Sequence, residues 1–445
     1  MTTAANEIDA AIQPKSNARL WYMAAILCLS NGVAFVDRQS LPLLIDQIKN
    51  DLAISDTQVS WLVGLAFIIT YAGFSFPAGM LVDRYPRRAV MSACVTFWSA
   101  STMFCSFATS YWMMFIGRLG IGAGESVGGP GSMSLIRDAF APDQRGRAVG
   151  IWAMGANIGG ATALLLGGYI LYLIGDAKTV TVPVFGLIHS WQLVLFCCAL
   201  VTLPVALLLW TFPEPMRTGS IDTGASLADA WGYMRKNWRI FALLFLVNSI
   251  TIILVVPHGI WVPAMFGRVW HVSRPEIGFT FGVMTLFLGA GSQFIAGAIM
   301  DRLQKIGVRN PIPLYGIVVT ALLFIPAVWM PLAPSAGMAW ILQGFYMLIG
   351  TSLFTIGTAF VTRLAPPEMA GKITSLHFLC MGLVGTFIGT TLYAAVSDRF
   401  FATEGPMAIA WSLAWVAGVL DVLAFFGFIL LFRLTRRTSA GVVRA

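Results

Sequence analysis

The sequence predicts an all-α membrane protein with twelve transmembrane helices in two pseudo-symmetric six-helix bundles. Three observations lead to this prediction: the composition, the spacing of the apolar segments and an internal repeat. Of the 445 residues, 58% are apolar or aromatic and only 11% are charged. A soluble globular chain carries roughly 25% charged residues because its surface must face water. The surface of this protein must therefore face lipid.

Apolar segments long enough to cross a bilayer, which takes about 20 residues, occur twelve times. We number them spans 1 to 12, at about 20–44, 58–82, 89–109, 111–136, 147–174, 190–212, 239–266, 275–299, 312–332, 337–362, 372–397 and 406–432. Because most loops between them are short, consecutive spans must run in opposite directions. The predicted segments are a cytoplasmic tail (1–19), an N-terminal bundle (20–212), a linker (213–238), a C-terminal bundle (239–433) and a second cytoplasmic tail (434–445).

The linker is the only long polar connection between spans. Trp231, Met234 and Trp238 recur in it at helical spacing, with Arg235 and Lys236 interleaved. This pattern is typical of an amphipathic helix on the inner membrane surface. A plain flexible linker is the alternative.

The distribution of lysine and arginine predicts the orientation. If the N-terminus is inside, 21 of the 28 basic residues face the cytoplasm and five face the other side, while Arg38 and Arg118 lie within spans. Cytoplasmic loops of membrane proteins carry this excess, so both termini are predicted to be cytoplasmic.

The basic residues form short clusters between apolar segments, which argues against nucleic-acid binding despite the net charge of +8. The short loops and tails predict a multi-pass protein of a bacterial inner membrane.

Two motifs recur with nearly one offset. Segment 79–84 (Gly-Met-Leu-Val-Asp-Arg) ends span 2, and segment 297–302 (Gly-Ala-Ile-Met-Asp-Arg) ends span 8, 218 residues later. Segment 142–147 precedes span 5, and the similar segment 367–372 precedes span 11, 225 residues later. Matching motifs in matching loops indicate a duplicated six-helix unit. Parallel halves of this kind place the solute site between them at mid-membrane.

Five charged residues lie inside spans, namely Asp37, Arg38, Arg118, Glu125 and Asp421. A charge at this depth costs at least a few kcal/mol, so it indicates function. Asp37 and Arg118 each lie about seven residues from the outer end of their predicted spans, level and of opposite sign. Glu125 is seven residues further along the same helix face, and either arginine is a candidate partner. We predict that Asp37 and Glu125 couple protons, while Arg38 and Arg118 pair with them and hold the head group of the solute. A static ion cluster fastening span 1 to span 4 is the alternative.

The segment 79–88 resembles motif A of the major facilitator superfamily, the signature of the loop between spans 2 and 3. In that family the motif helps to hold the inner side shut when the protein opens outward. The resemblance implies a gate made of Gly79, Asp83, Arg84, Arg87, Arg88 and Asp138. The carboxylate of Asp83 can face the positive end of a neighbouring helix, and the arginines can bridge to Asp138 or to loop carbonyls. A simple excess of positive charge inside is the alternative.

Segments 31–38 (Asn-Gly-Val-Ala-Phe-Val-Asp-Arg) and 118–126 (Arg-Leu-Gly-Ile-Gly-Ala-Gly-Glu-Ser) resemble the Spinster branch of this superfamily, and the resemblance covers most of the N-terminal half. It implies a proton-coupled carrier of lysophospholipids or sphingolipids. The anion:cation symporter branch shares a similar aspartate-arginine pair and a similar Gly-x-Gly-Glu. The alternative is therefore a proton-coupled symporter of small organic anions.

The second half lacks the charges of the first, because the 225-residue offset maps Arg118 to Gln343 and Glu125 to Gly350. Its candidates for the cavity wall are Asn248, His258, Trp261, Gln343, Tyr346 and His377. A cavity that is charged on one wall and apolar on the other suits an amphipathic solute with a charged head. The predicted partners are a small amphipathic or anionic solute, protons and membrane lipids.

Other function classes fit the sequence less well. A channel needs a ring of like charges or repeated carbonyl loops, and neither is present. An enzyme needs a nucleophile with its base, or metal ligands, whereas the four histidines are scattered and the six cysteines lie in apolar segments without metal-ligand spacing. The sequence therefore predicts a monomeric carrier that uses no cofactor and no metal.

Overall fold

The computed structural model describes residues 17–175, 177, 179–182, 186–217, 227–308, 310–366 and 369–442. Most of the predicted first tail, part of the linker and the end of the second tail lie outside these residues. The spans, in order, are Asn17–Leu52, Asp56–Arg84, Arg87–Ser106, Tyr111–Glu125 with Gly128–Ala139, Pro142–Ile174, Ser190–Leu208, Trp238–Trp270, Arg274–Lys305, Pro311–Trp329, Ala336–Gly350 with Leu353–Leu364, 370–400 and Ala408–Val442.

Eleven of the spans form helices that are long and apolar enough to cross a membrane, counted over the described residues. The twelfth, span 4, breaks after Glu125 into helices of 15 and 12 residues. Pro130 favours the break, because it has no amide hydrogen to donate to the carbonyl of Ser126 and its ring crowds that turn. The twelve-helix prediction is thus confirmed, and the break places Glu125 at the end of a helix.

Span 1 is longer than predicted and continues to Leu52. Its last turns stay helical although they are polar, because Asp46 and Lys49 form ion pairs there with residues of other spans. The prediction that Asp37 lies near the outer end of span 1 is therefore wrong. Asp37 lies 15 residues from Leu52, about 22 Å at 1.5 Å per residue, and so close to the middle of the span.

A short hairpin, absent from the sequence prediction, connects spans 5 and 6. Strand β1 (Thr179–Val182) pairs antiparallel with β2 (Gly186–His189), with Thr179 opposite His189. The alternating threonines and valines of β1 are typical of a strand.

The internal duplication extends to the starts of four helices. Spans 2, 4, 8 and 10 each begin after a serine whose side chain accepts a hydrogen bond from the backbone amide three residues later. These N-caps are Ser55, Ser110, Ser273 and Ser335. Ser273 follows Ser55 by 218 residues and Ser335 follows Ser110 by 225, the offsets of the two repeated motifs.

Polar contacts between described residues join the two bundles at one end of the molecule. We call the end that carries the loop between spans 2 and 3 the motif A end, and the other end the opposite end. Among the described residues, the hydrogen bonds and ion pairs that join the two bundles all lie at the opposite end. At the motif A end, a carbon added at Gly79 or Gly297 would meet no atom within 4 Å. The protein is closed at the opposite end and open at the motif A end.

An ion-pair network closes the opposite end. Arg268 of span 7 donates to Asp46 of span 1 at 2.7 Å and, with two nitrogens, to Asp56 of span 2 at 2.6 and 2.9 Å. Lys49 also contacts Asp56, at 2.8 Å. Because Arg268 belongs to the C-terminal bundle and both aspartates to the N-terminal one, this network fastens one bundle to the other.

The described part of the linker contains a helix, Leu227–Lys236. Ala230 and Met234 are buried in the core of the C-terminal bundle, and the hydroxyl of Tyr233 donates to the carbonyl of Leu364 at 3.1 Å. The exposed side includes Trp231. The placement of this helix on the inner membrane surface stays a prediction.

Candidate functional site

Arg38 and Glu125 form the central ion pair between spans 1 and 4. The Nε and Nη2 atoms of Arg38 lie 2.7 and 2.5 Å from Oε2 of Glu125. The other oxygen, Oε1, is buried and has no hydrogen-bond partner among the described residues. Sequence spacing left either arginine as the partner of Glu125, and the geometry selects Arg38.

Aromatic rings surround the Arg38 guanidinium. Its central carbon lies 4.5 Å from the ring centre of Phe67 and 5.1 Å from those of Phe35 and Tyr71, within the range of cation–π attraction. The Arg38 side chain is nevertheless 28% exposed, while that of Glu125 is enclosed. Arg38 is therefore both held in place and accessible.

Asp37 is adjacent to Arg38 on span 1, but its side chain contacts span 3 and not Glu125. Its Oδ2 atom accepts a hydrogen bond from the Thr102 hydroxyl of span 3 at 3.1 Å. Its Oδ1 atom is buried without a hydrogen-bond partner among the described residues. Asp37 is thus a buried carboxylate that no described cation contacts within 4 Å.

Arg118 does not form the expected ion pair with Asp37. Its Nε donates to the carbonyl of Leu62 at 3.2 Å, and Nη2 lies 3.5 Å from the carbonyl of Val63. Both carbonyls belong to the π-helical turn Trp61–Leu65 of span 2. Arg118 is only 3% exposed, so the backbone of span 2 supplies its partners.

The six cavity candidates of the second half lie in the interior of the C-terminal bundle, each at most 3% exposed. Asn248 contacts His377 at 3.0 Å, and His258 contacts Gln343 at 2.8 Å with Tyr346 stacked on its ring. In this conformation they contact one another and not open space. Their role in a cavity stays a prediction.

Asp421 is a separate buried carboxylate in the middle of span 12. It is 1% exposed, and its Oδ1 atom has no hydrogen-bond partner among the described residues. The structure places it in the C-terminal bundle, away from the four charges of spans 1 and 4.

The motif A arginines fasten the N-terminal bundle together. Arg87, at the start of span 3, pairs with Asp138 at the end of span 4 and, at 2.8 Å, with Glu214 after span 6. Its remaining nitrogen donates to the carbonyl of Pro215. Sequence reasoning predicted Asp138 but missed Glu214. Glu214 is a carboxylate only two residues beyond the predicted end of span 6, and this was the available signal.

Glu214 also accepts hydrogen bonds from the backbone amides of Arg87 and Arg88. Partial burial raises the pKa of this carboxyl, but the hydrogen bonds from the Arg87 side chain and from the two amides outweigh it and hold the pKa below its ordinary value. Arg88 donates in addition to the carbonyl of Phe212 at 3.1 Å.

Asp83 and Arg84 are exposed at the open end. Gly79 and Asp83 line a cavity of about 310 Å³ together with Pro130 and Arg137, all within the N-terminal bundle. In this conformation neither Asp83 nor Arg84 contacts the C-terminal bundle through a hydrogen bond or ion pair between described residues. A gate at this position is therefore open here.

Comparison with known proteins places this chain in a family. The family model of the Major Facilitator Superfamily matches residues 27–390. The chain belongs to this superfamily, and it is a transporter rather than an enzyme.

Within the superfamily, the predicted resemblance to the Spinster branch is confirmed. The chain is 25% identical to human protein spinster homolog 1 over 465 residues, covering 95% of this chain and 83% of the relative. It is 24% identical to an MFS-type efflux pump of Mycolicibacterium smegmatis over 411 residues, 91% of this chain and 90% of the pump. A solved structure of a bacterial homolog to the human lysosomal transporter Spinster, inward-facing and unoccupied, matches with a TM-score of 0.80 at 22% identity, covering 95% of this chain and 98% of that one.

Proposed function

We propose that this protein is a proton-coupled carrier that moves an amphipathic, lipid-like solute with an anionic head across a bacterial inner membrane by alternating access. The observation that carries the proposal is the Arg38–Glu125 pair. Of the four charges in spans 1 and 4, the Arg38 side chain is 28% exposed, whereas Asp37, Arg118 and Glu125 are each at most 3% exposed. Arg38 is therefore the charge that a solute between the bundles reaches, and the rings beside it offer apolar surface.

With both termini in the cytoplasm, the motif A end is cytoplasmic and this conformation faces inward. The excess of basic residues on that side supports this orientation. The match to an inward-facing Spinster homolog agrees with the closure at the opposite end by Arg268.

Proton coupling follows from what the solute does to Glu125. When an anionic head binds Arg38, the guanidinium divides its hydrogen bonds between two anions, and the head competes with Glu125. A carboxylate left buried without a cation binds a proton in preference to staying charged. Solute binding and protonation then favour the same conformation, which links the two events. Asp37, buried beside the pair, is proposed as the second proton site.

The affinity of the solute is expected to rise with the length of its acyl chain. Each buried methylene contributes up to about 0.8 kcal/mol, roughly a fourfold gain in affinity. Thermal-shift or calorimetric titration of a lysophospholipid series differing by two methylenes measures this dependence on purified protein. Arg38→Lys is the matched variant, because it keeps the charge but loses the planar fork that binds a phosphate with two hydrogen bonds.

A flat dependence on chain length, combined with tight binding of a short sugar acid, would replace the lipid by a small organic anion. That outcome leaves the carrier and its Arg38 anchor in place and identifies the anion:cation symporter alternative. Uptake that does not saturate with solute concentration would instead indicate a channel.

Motif A is proposed to stabilise the outward-facing state. Asp83→Asn is expected to leave the present conformation intact, because Asp83 is exposed here, and to increase its population at the expense of the outward-facing state. Cysteine-accessibility labelling at the two cavity mouths measures this change. Labelling identical to that of the wild type at both mouths would show that the motif serves topology only.

A further inference from the structure

One face of span 2 packs along one face of span 11 at the opposite end, and we call this contact the 2–11 seam. It begins where the backbone amide and hydroxyl of Thr57 both donate to Oδ2 of Asp398, at 3.0 and 2.7 Å. One turn further on, the hydroxyls of Ser60 and Thr391 are hydrogen-bonded at 3.1 Å. Positions three to four apart share a helix face, so the next contact falls at Gly64.

At Gly64 the two backbones touch. A carbon added to Gly64 would lie 2.2 Å from the carbonyl oxygen of Thr386 and 2.9 Å from Oγ1 of Thr390. The contacting segments are both π-helical, Trp61–Leu65 in span 2 and Gly382–Gly389 in span 11. Turns of this kind are frequently found at functional sites. The seam therefore requires glycine at position 64 and a defined shape of the turn around it.

Arg118 holds that turn from the other side. Its guanidinium, on span 4, donates to the carbonyls of Leu62 and Val63, the two residues directly before Gly64. Arg118 also belongs to the buried charge cluster, since Asp37 interacts with it electrostatically. The ring of Phe67 contacts both arginines, with the Arg118 carbon 5.8 Å from its centre, and lies on the same span as the turn.

We infer that Arg118 is a positioning residue of the transport cycle: it holds the 2–11 seam closed through the carbonyls of Leu62 and Val63, and it turns to Asp37 when the opposite end opens. Asp37 can receive it because Oδ1 is buried without a partner. The inference rests on alternating access as proposed above. It does not require that protons drive transport.

The test measures the opening of the opposite end directly. Spin labels at Thr109 and Thr403, exposed on the two bundles at that end, report the distance between the bundles by pulsed electron resonance. Gly64→Ala is expected to shift the distribution towards long distances, because its added carbon collides with Thr386. Gly73→Ala is the matched control in the same span, since a carbon there meets no atom within 4 Å.

Arg118→Lys is expected to shift the distribution in the same direction, since an ammonium cannot hold both carbonyls with one planar fork. A change of roughly fivefold or more in the open-to-closed ratio is the size typical of coupled sites. The double variant that carries both Arg118→Lys and Gly64→Ala should change the open-to-closed ratio little more than either substitution alone, because both act on one contact. Asp37→Asn should shift the distribution the other way, towards the closed seam, because it removes the competing partner. A substitution that only destabilised the fold would not shift the distances in this opposite direction.

Each outcome decides a separate point. If Gly64→Ala matches Gly73→Ala, the seam is not the closing surface. If Gly64→Ala opens the protein but Arg118→Lys and Asp37→Asn leave the distances unchanged, Arg118 does not position the seam. If the distances shift as expected while no lipid or organic anion is transported, the inference stands and the proposed substrates are wrong.

Discussion

Glu125→Gln is expected to abolish concentrative, pH-driven uptake while exchange of solute across the membrane continues. Glutamine mimics the protonated carboxyl, so the switch between conformations no longer waits for a proton. The Arg38–Glu125 pair joins spans 1 and 4 at 2.5 to 2.7 Å, and its neutral form frees Arg38 for the solute. Proteoliposomes separate the two activities: accumulation under an imposed pH gradient should fall to background, while counterflow should stay near the wild-type rate.

Asp37→Asn is expected to show a smaller defect of the same kind, because asparagine keeps an oxygen for the hydroxyl of Thr102 and no cation loses a direct partner in the present conformation. Asp421→Asn is the matched control, since it removes a carboxylate that is equally buried in the other bundle. If Glu125→Gln still accumulates solute against its gradient with the wild-type pH dependence, the four charges only fasten span 1 to span 4.

That these charged residues lie inside spans could be predicted from the sequence, because a charge among apolar residues has few structural explanations. The depth of Asp37 could not, because the helix of span 1 continues beyond the apolar segment to Leu52. The partner of Glu125 could not, since helical spacing brings both Arg38 and Arg118 within reach. The structure separates them through two features that periodicity does not encode. Span 4 breaks directly after Glu125, and the π-helical turn of span 2 offers carbonyls to Arg118.

The closed end depends on contacts that no local pattern indicates. Arg268 pairs with aspartates 222 and 212 residues away in the sequence, and these positions look like ordinary loop charges. No local pattern indicates the contacts of the buried histidines of the second half either, and these residues were predicted to line a cavity. Their polar partners, Asn248 and Gln343, are on other helices, so only the packed bundle reveals that each ring is already hydrogen-bonded.

Arg87→Met is expected to cause the largest loss of stability among the motif A variants. The Arg87 side chain is 1% exposed, and it donates to Asp138, Glu214 and the carbonyl of Pro215. Removing one partner of a buried ion pair typically costs 3–5 kcal/mol, and we expect about that range here. Thermal unfolding of the purified protein in detergent measures it. Arg84→Met is the matched control, because Arg84 is exposed and surface substitutions change stability by about 0.5 kcal/mol or less.

The effect of Arg87 should also depend on pH through Glu214. Since the pKa of Glu214 is held below its ordinary value in the folded protein, its pairing stabilises the fold above the unfolded pKa of about 4.3. This contribution is lost as the pH falls through the lower, folded value. The difference in melting temperature between wild type and Arg87→Met should therefore be largest at neutral pH and should decrease below about pH 4. A difference that stays constant down to this range would assign the stabilisation to Asp138 alone, and an Arg87→Met protein as stable as Arg84→Met would refute the fastening role of Arg87.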